Sequence, residues 1–558
     1  MIPNFILFLF FYFLITFSTL GYGLIFIRIF DKKNTDINYG YIGLIGVFFL
    51  IIYSYLSHFF LPHDYIHNTT IIFFGLIFFA HHLTKIVKKK PFYIFLLVFV
   101  ILFLSSLILK PHDDFSYYHF PYTYYLTQYP TMIGVGQFNH GFRTPSSLFY
   151  LNSLFYLPKI QYYMFHMSAI LIMGFSNLIL LSKILKDIQK PKINFITYLS
   201  LLSFVFINIF FYRISEHGTD RSAQILVFIF FIELLIFVSF YNDYRKNISY
   251  ILILLGLIIS LKSFFMLYLI SLIPVLYLLY KKNFLNVFIE TIKSKFFIFF
   301  ILLFSLVLFI SFLNTGCLIY PVTFTCFDIF AWSMSLKEVT SMNNWYELWS
   351  KAGAQPNFRV DNPDVYIQQF NWLNGWIKFY FFNKMSDFIL GLFFLILVFY
   401  STFYSKIKKK IVINNNLNFI YFVVIILFLE WFYNHPSLRY GGYCLIALLI
   451  FMPFSLFLEK FQEKQNIIKL KFISLIFITI LIFLGRNYLR ITNEVEKYSY
   501  KPFDETYFRV NKSYFRFDEM FNKSIDNYKT CLKKRKNCNK ILDLKMKKYF
   551  NTYIFINN

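Results

Sequence analysis

Acidic residues are scarce in this chain: 28 Asp and Glu stand against 54 Lys and Arg, a net charge of +26 over 558 residues. Charge of either sign makes up only 15%, where soluble domains carry about 25%. That shortage excludes an ordinary set of soluble domains. Gly (19) and Pro (16) are too few for a collagen-like or low-complexity chain. Five Cys exclude a disulfide-dense scaffold. Gly134, Gly136 and Gly141 have no strand–helix context and form no nucleotide fingerprint. What abounds is apolar and aromatic: 58% hydrophobic, 23% aromatic, 80 Phe, mean hydropathy +0.57. Phe with Ile, Lys and Asn also follows from AT-rich coding, so the Phe content carries no functional message. In a soluble protein the positive balance would suggest nucleic acid. Here the lysines sit between apolar runs, so topology and anionic headgroups explain them, and nucleic acid is not an expected partner.

About 20 apolar helical residues cross a bilayer core. Runs near 4–27, 40–61, 71–87, 92–109, 163–182, 194–212, 222–241, 249–262, 264–280, 296–313, 386–404, 418–433, 441–458 and 471–486 predict an all-α polytopic membrane protein of about fourteen spans. The first run lacks a basic leader and an A-x-A-like site, so it does not read as a cleaved signal. Lys and Arg mark cytoplasmic loops. Five groups do so here: Lys85 with Lys88–Lys90, Lys183–Lys192, Lys281–Lys295, Lys406–Lys410 and Lys460–Lys471. Keeping all five inside requires 249–280 to be a hairpin turning near Lys262 and Ser263. Both termini then face outward, as do the loops 110–162, 213–221, 314–385 and 434–440 and the tail 487–558. All six Trp and four of the five Cys fall on those segments or at their membrane edge. The spacing of Cys317 with Cys326 and of Cys531 with Cys538 suits local disulfides. The tail is basic, with 16 Lys and Arg to 8 Asp and Glu, yet long segments translocate largely regardless of charge. The chain thus divides into leading spans (1–91), a membrane region with its outer loops (92–486) and the tail (487–558).

Chemistry-bearing residues gather in the outer segments. Asp113 and Asp114 open the first large loop at the membrane edge, flanked by His112, Tyr118 and His119. Partial burial and mutual repulsion would raise at least one carboxyl toward general-base range. A bare Asp-Asp more often caps a helix; the flanking His and Tyr tilt the reading toward function. Arg143, in His140-Gly-Phe-Arg143-Thr-Pro145, suits a phosphate or sugar, or headgroup anchoring. The turn Arg213–Arg221 is dense in charge, with Glu216, His217 and Asp220; a solvated ion-paired turn and a site contribution weigh equally. Glu233 lies within a span, which makes it a functional candidate by default. The Trp of the second loop could stack on sugars, although an interfacial aromatic belt accounts for most of them. Arg439, beside Tyr440 in Pro436-Ser-Leu-Arg439-Tyr440, is placed to hold a lipid phosphate bidentately, or to snorkel. Lys262 has the same two readings.

Three of these elements, Asp113-Asp114-Phe-Ser-Tyr117-Tyr118, Thr144-Pro145-Ser-Ser-Leu-Phe-Tyr150 and Pro436-Ser-Leu-Arg439-Tyr440, occur in an order and on a side that resemble the GT-C membrane glycosyltransferases, among them protein mannosyltransferases and aminoarabinose transferases. The likeness covers roughly 92–458. It departs in three extra leading spans, in a single Pro145 where a Pro-Pro is common, and in the unmatched tail. It implies a GT-C-like helix bundle in a bacterial inner membrane, with its site facing the periplasm. It also implies a polyprenyl-phosphate-linked sugar donor and a glycan, lipid or protein acceptor. Asp113 or Asp114 would be the general base of an inverting transfer. Arg439, Tyr440, Arg143, Lys262, His119 and Tyr118 would serve substrate and lipid phosphate. Some such enzymes use a divalent metal, for which His112, Asp114 and His119 could supply ligands; no other cofactor is implied. The rival readings are a lipid-linked oligosaccharide flippase or transporter, a polysaccharide polymerase or ligase, and a structural assembly protein.

Overall fold

The computed structural model describes residues 4–30, 38–84, 89–216, 218–240, 244–281, 285–354, 360–407, 416–504, 508–534, 538, 546–549 and 552–556. Lys85, Lys88, His217, Lys282 and Lys408–Lys410 lie outside the described residues. The molecule is an all-α, multi-pass membrane protein. Among the described residues ten helices are long and apolar enough to cross a bilayer, and Lys90–Ser106, Phe195–Phe210 and Gly442–Leu458 are shorter apolar helices.

Burial sorts the helices into two classes. Tyr39–His58, Tyr162–Asp187 and Gly218–Ser239 are apolar all round and mostly buried inside the protein, while Tyr65–Leu83, Lys295–Thr315, Leu417–Asn434 and Gln465–Tyr498 bury only about a third of theirs. A helix apolar on every side needs either protein or lipid around it. The exposed Phe73, Phe74, Phe393, Phe394 and Phe477 are the surface that lipid would solvate. Small residues let the first helices approach closely: a Cβ on Gly21 would fall 1.9 Å from the carbonyl oxygen of Gly75.

The 249–280 run breaks where expected. Helix Tyr244–Leu261 ends at Lys262, whose backbone is extended (φ −160°, ψ 136°), and the chain resumes as a 3-10 turn Ser263–Ser271 and helix Leu272–Lys281. An ion pair of 2.6 Å between Arg245 and Glu290 ties the far end of this excursion back to its start, closing a hairpin.

The turns that carry Lys190, Lys406 and Lys460 meet at one end of the bundle. There Gln462 donates to the Ile407 carbonyl, Ser405 to the Gln462 carbonyl, Gln465 to the carbonyls of Gln189 and Lys190, and Phe195 N–H to Glu459. Asp113, Asp114 and Arg439 belong to the opposite end. Between them Glu233, expected alone in its span, is ion-paired with Lys183 at 2.7 Å and bonded by the Tyr41 hydroxyl.

Two expectations need correction. The first outer loop is a packed set of short helices, Phe115–His119 (π), Phe120–Gln128, Val135–Gln137, His140–Phe142 and Ser147–Ser153. The element Thr144–Tyr150, within the loop read as 110–162, runs into a buried seven-residue helix, Ser147–Ser153. Three Trp are not belt residues. Trp372, Trp376 and Trp431 are buried, and each indole N–H reaches a carbonyl, of Gln369, Pro436 and Ser437. Each is an apolar body whose single donor is satisfied inside the protein.

The tail, unassigned from sequence, folds back over the first loop. Helix Arg516–Lys534 lays Phe521 against Tyr125, Tyr129 and Phe138. Tyr129 donates to Asn522 at 2.7 Å. The hairpin Met546–Tyr549/Thr552–Phe555 adds reciprocal backbone bonds between Ile133 and the Tyr553–Phe555 strand. Both proposed disulfides are formed, Cys317–Cys326 and Cys531–Cys538, and Cys444 is buried and free.

Candidate functional site

Asp113 and Asp114 sit in the first turn leading into the π-helix Phe115–His119. Neighbouring helical residues project about 100° apart, so the two carboxyls part company. Asp113 is exposed. Asp114 makes no capping bond and turns to Arg439, accepting from its Nη2 at 2.8 Å.

Arg439 is presented by a 3-10 turn, Leu438–Tyr440, that can run into helix Gly442–Leu458 because Gly441 takes φ +108°, a conformation in which a side chain is strained. Gln224 fixes the turn, donating to the carbonyls of Leu438 and Arg439 and accepting from Cys444 N–H. Arg439 Nε then donates to Asp220 at 2.9 Å. The other oxygen of Asp220 takes an ion pair from Lys262, held at the break in the hairpin. The Arg439 guanidinium lies 5.2 Å from the Trp349 ring centroid and 5.6 Å from that of Tyr440, and the Lys262 ammonium lies 4.8 Å from Tyr440. Asp114, Asp220, Lys262, Trp349 and Arg439 thus come from five separate segments of the chain.

Two acids and two bases balance the cluster. Burial would raise the Asp114 carboxyl, but Arg439 more than offsets it and holds the group below the usual carboxylate range. Burial pushes His119 down to about 4 against the pull of Asp114 and Asp220. His119 is therefore neutral at neutral pH, leaving Arg439 as the charge that keeps Asp114 ionised. Burial likewise draws Lys262 below its ordinary value despite Asp220. Only Oδ2 of Asp114 is engaged by Arg439 and approached by His112, at 3.5 Å. Asp114 keeps one oxygen, and Arg439 its Nη1, without a hydrogen-bond partner among the described residues. A hydroxyl acceptor and a cationic donor stand side by side.

The other expected residues sit as follows. Tyr118 and His119 flank the cluster, their rings 4.4 Å apart, and His119 packs 5.0 Å from Phe149 with Nε2 buried and unpartnered among the described residues. Arg143 is turned elsewhere. Its nitrogens bond the Gly136 carbonyl, the Tyr320 hydroxyl and Glu338 (2.6 Å), so it braces the first loop against the second. The metal reading does not fit: His112, Asp114 and His119 form no three-ligand set, since the π-turn carries the His119 ring onto Phe149, and no group of three candidate ligands occurs among the described residues.

Asp220, weighed evenly between an ion-paired turn and a site residue, belongs to the cluster, and Trp349 was not singled out. The available signal for Asp220 was an acid in the first turn of an otherwise apolar helix, with Gln224 one turn on. For Trp349 there was none that distinguished it from its neighbours.

No curated protein and no solved structure matches the chain. One family model does, over residues 5–446, most of the sequence but short of the final long helix and tail. On that match the chain belongs to the family described as a domain of unknown function, DUF8201.

Proposed function

We propose that this protein is a membrane glycosyltransferase. It would move a sugar from a polyprenyl-phosphate-linked donor to an acceptor hydroxyl at the outer, periplasmic face of a bacterial inner membrane, in a bundle of about fourteen spans. The observation that carries the reading is the 2.8 Å contact of Asp114 with Arg439, residues 325 positions apart. A base and a phosphate-binding cation are the two parts such a transfer asks for.

In this reading the acceptor O–H lies against Asp114, which takes its proton. The acceptor oxygen forms a bond to the anomeric carbon as the bond from that carbon to the phosphate oxygen breaks. The lipid phosphate leaves with the electron pair, and configuration inverts. Arg439, seconded by Lys262, meets the developing phosphate charge. Asp220 aims both cations. A carboxylate kept ionised by Arg439 is a weak base at rest. It gains strength when the donor phosphate draws the guanidinium away, which couples base activation to donor binding.

The test is turnover of polyprenyl-phosphate-linked hexose and pentose donors in membranes containing the protein, read as released lipid phosphate. Asp114→Asn should lose about 10²–10⁴-fold of the rate, the usual worth of a general base. Asp113→Asn should stay near the parent. Equal activity of both variants and the parent overturns the assignment.

A lipid-linked oligosaccharide transporter is the second reading, favoured by the Lys183–Glu233 pair inside the helices. It would move lipid-linked sugar across the membrane without releasing lipid phosphate.

A further inference from the structure

Helix Gln465–Tyr498 runs 34 residues, about 51 Å at 1.5 Å per residue, against a bilayer core of about 30 Å. Its charge-free run ends at Gly485, so Arg486 stands where the helix leaves hydrocarbon. At that level an open cavity of about 310 Å³ lies between this helix and the turn after helix Phe195–Phe210, lined by Lys110, Arg213, Arg486, Arg490, Glu494 and Lys497.

Five cations face one carboxylate in the wall, with Glu216 behind it. Two of the five are already engaged: Arg213 by Glu216, and Arg490 by Glu494 at 3.3 Å. Lys110, Arg486 and Lys497 have no carboxylate partner among the described residues. Arg490 is 7% exposed, yet its Nε is buried with no hydrogen-bond partner among the described residues. A buried guanidinium with an unmet donor is costly unless something accepts from it.

Simple snorkelling does not describe Arg486. It turns inward, donating to the Ile209 carbonyl at 2.6 Å and lying over the Tyr212 ring at 4.0 Å. Below the cavity the same helix presents Phe477, Ile478, Leu481 and Ile482 outward. A polycationic pocket therefore stands beside an exposed apolar helix face.

We propose that this cavity binds the phosphate headgroup of a membrane lipid, with its acyl or prenyl chain lying along the outward face of helix Gln465–Tyr498. The site is separate from Asp114 and Arg439 and does not depend on glycosyl transfer. It lies largely on a helix beyond the matched family region.

The test uses the full-length protein in phosphatidylcholine nanodiscs carrying a photoactivatable phosphatidic acid, with cross-linked peptides mapped by mass spectrometry. Cross-links should fall between Phe477 and Tyr498. They should weaken by about a hundredfold in the triple variant K110Q/R486Q/K497Q, roughly fivefold per cation at a membrane surface. K110R/K497R, which keeps the charge, should label like the parent. Inorganic pyrophosphate should compete, which identifies phosphate as the recognised group. An equal yield from a photoactivatable diacylglycerol, or full labelling of the triple variant, overturns the proposal. So does pyrophosphate binding to the detergent-solubilised protein with no lipid cross-link in nanodiscs, which would make it a site for a soluble phosphate.

Discussion

Asp113 and Asp114 differ by one position and by everything around them. One faces solvent; the other faces a guanidinium. A pair of adjacent acids was legible as a candidate, but which acid serves was not, because that depends on the start of a π-turn with no sequence marker. The cation was legible from Arg439-Tyr440, whereas Asp220, which holds that cation in place, weighed evenly between an ion-paired turn and a site residue. Arg143 shows the converse: its residue type suits phosphate, and tertiary contacts take its donors instead. Buried His119 gives a residue-scale prediction in pH. The unfolded chain takes its proton near 6.5 and the folded chain only near 4. Between those values the unfolded state binds more protons, so stability falls as pH drops from about 6.5 to about 4 and is unaffected above. His435, pushed down to about 4 by burial, acts in the same window. Thermal unfolding in detergent should show this slope, and His119→Gln should reduce it, leaving the share of His435. An unchanged slope would mean that His119 is protonated in the fold.

At the scale of elements, apolar runs foretold helices well because nothing in a bilayer competes with intrahelical hydrogen bonding. Even the break at Lys262 followed from charge placement alone. The outer loops were opaque, since short helices stitched by aromatics carry no periodicity. Two predictions belong here. Phe521 is 1% exposed in the tail helix and clamps three aromatics of the first loop. Phe521→Ala should therefore cost about 3–5 kcal/mol of tail docking, read as faster proteolysis of Arg516–Lys534 in membranes. The Lys183–Glu233 pair joins helices Met167–Asp187 and Gly218–Phe240. Removing one partner strands a buried charge, so Glu233→Gln should destabilise by about 3–5 kcal/mol, while Lys183→Met with Glu233→Leu should recover most of it. Thermal shift of the purified variants decides whether the pair is structural. If the double variant stays stable but loses function, the pair works.

For the whole molecule, sidedness is the quantity to measure. The turns of Lys190, Lys406 and Lys460 meet at one end, and the tail, the first loop and the acid–arginine cluster share the other. Cysteine introduced at exposed Lys523 should react with an impermeant maleimide from outside intact cells. Cysteine at exposed Lys406 should react only after permeabilisation. Labelling of both from one side would break the topology, and with it the periplasmic placement of the site.

The clasp of the tail over the first loop also sets an order of events. Tyr129 can donate to Asp518 only after 389 further positions have been made. Every helix between them must be inserted, and the last one threaded outward, before the roof above the carboxylate can close. A ribosome halted anywhere in that interval leaves an embedded first loop without its cover, so completion of the acid–arginine cluster's surroundings is timed by translation of the far end of the chain.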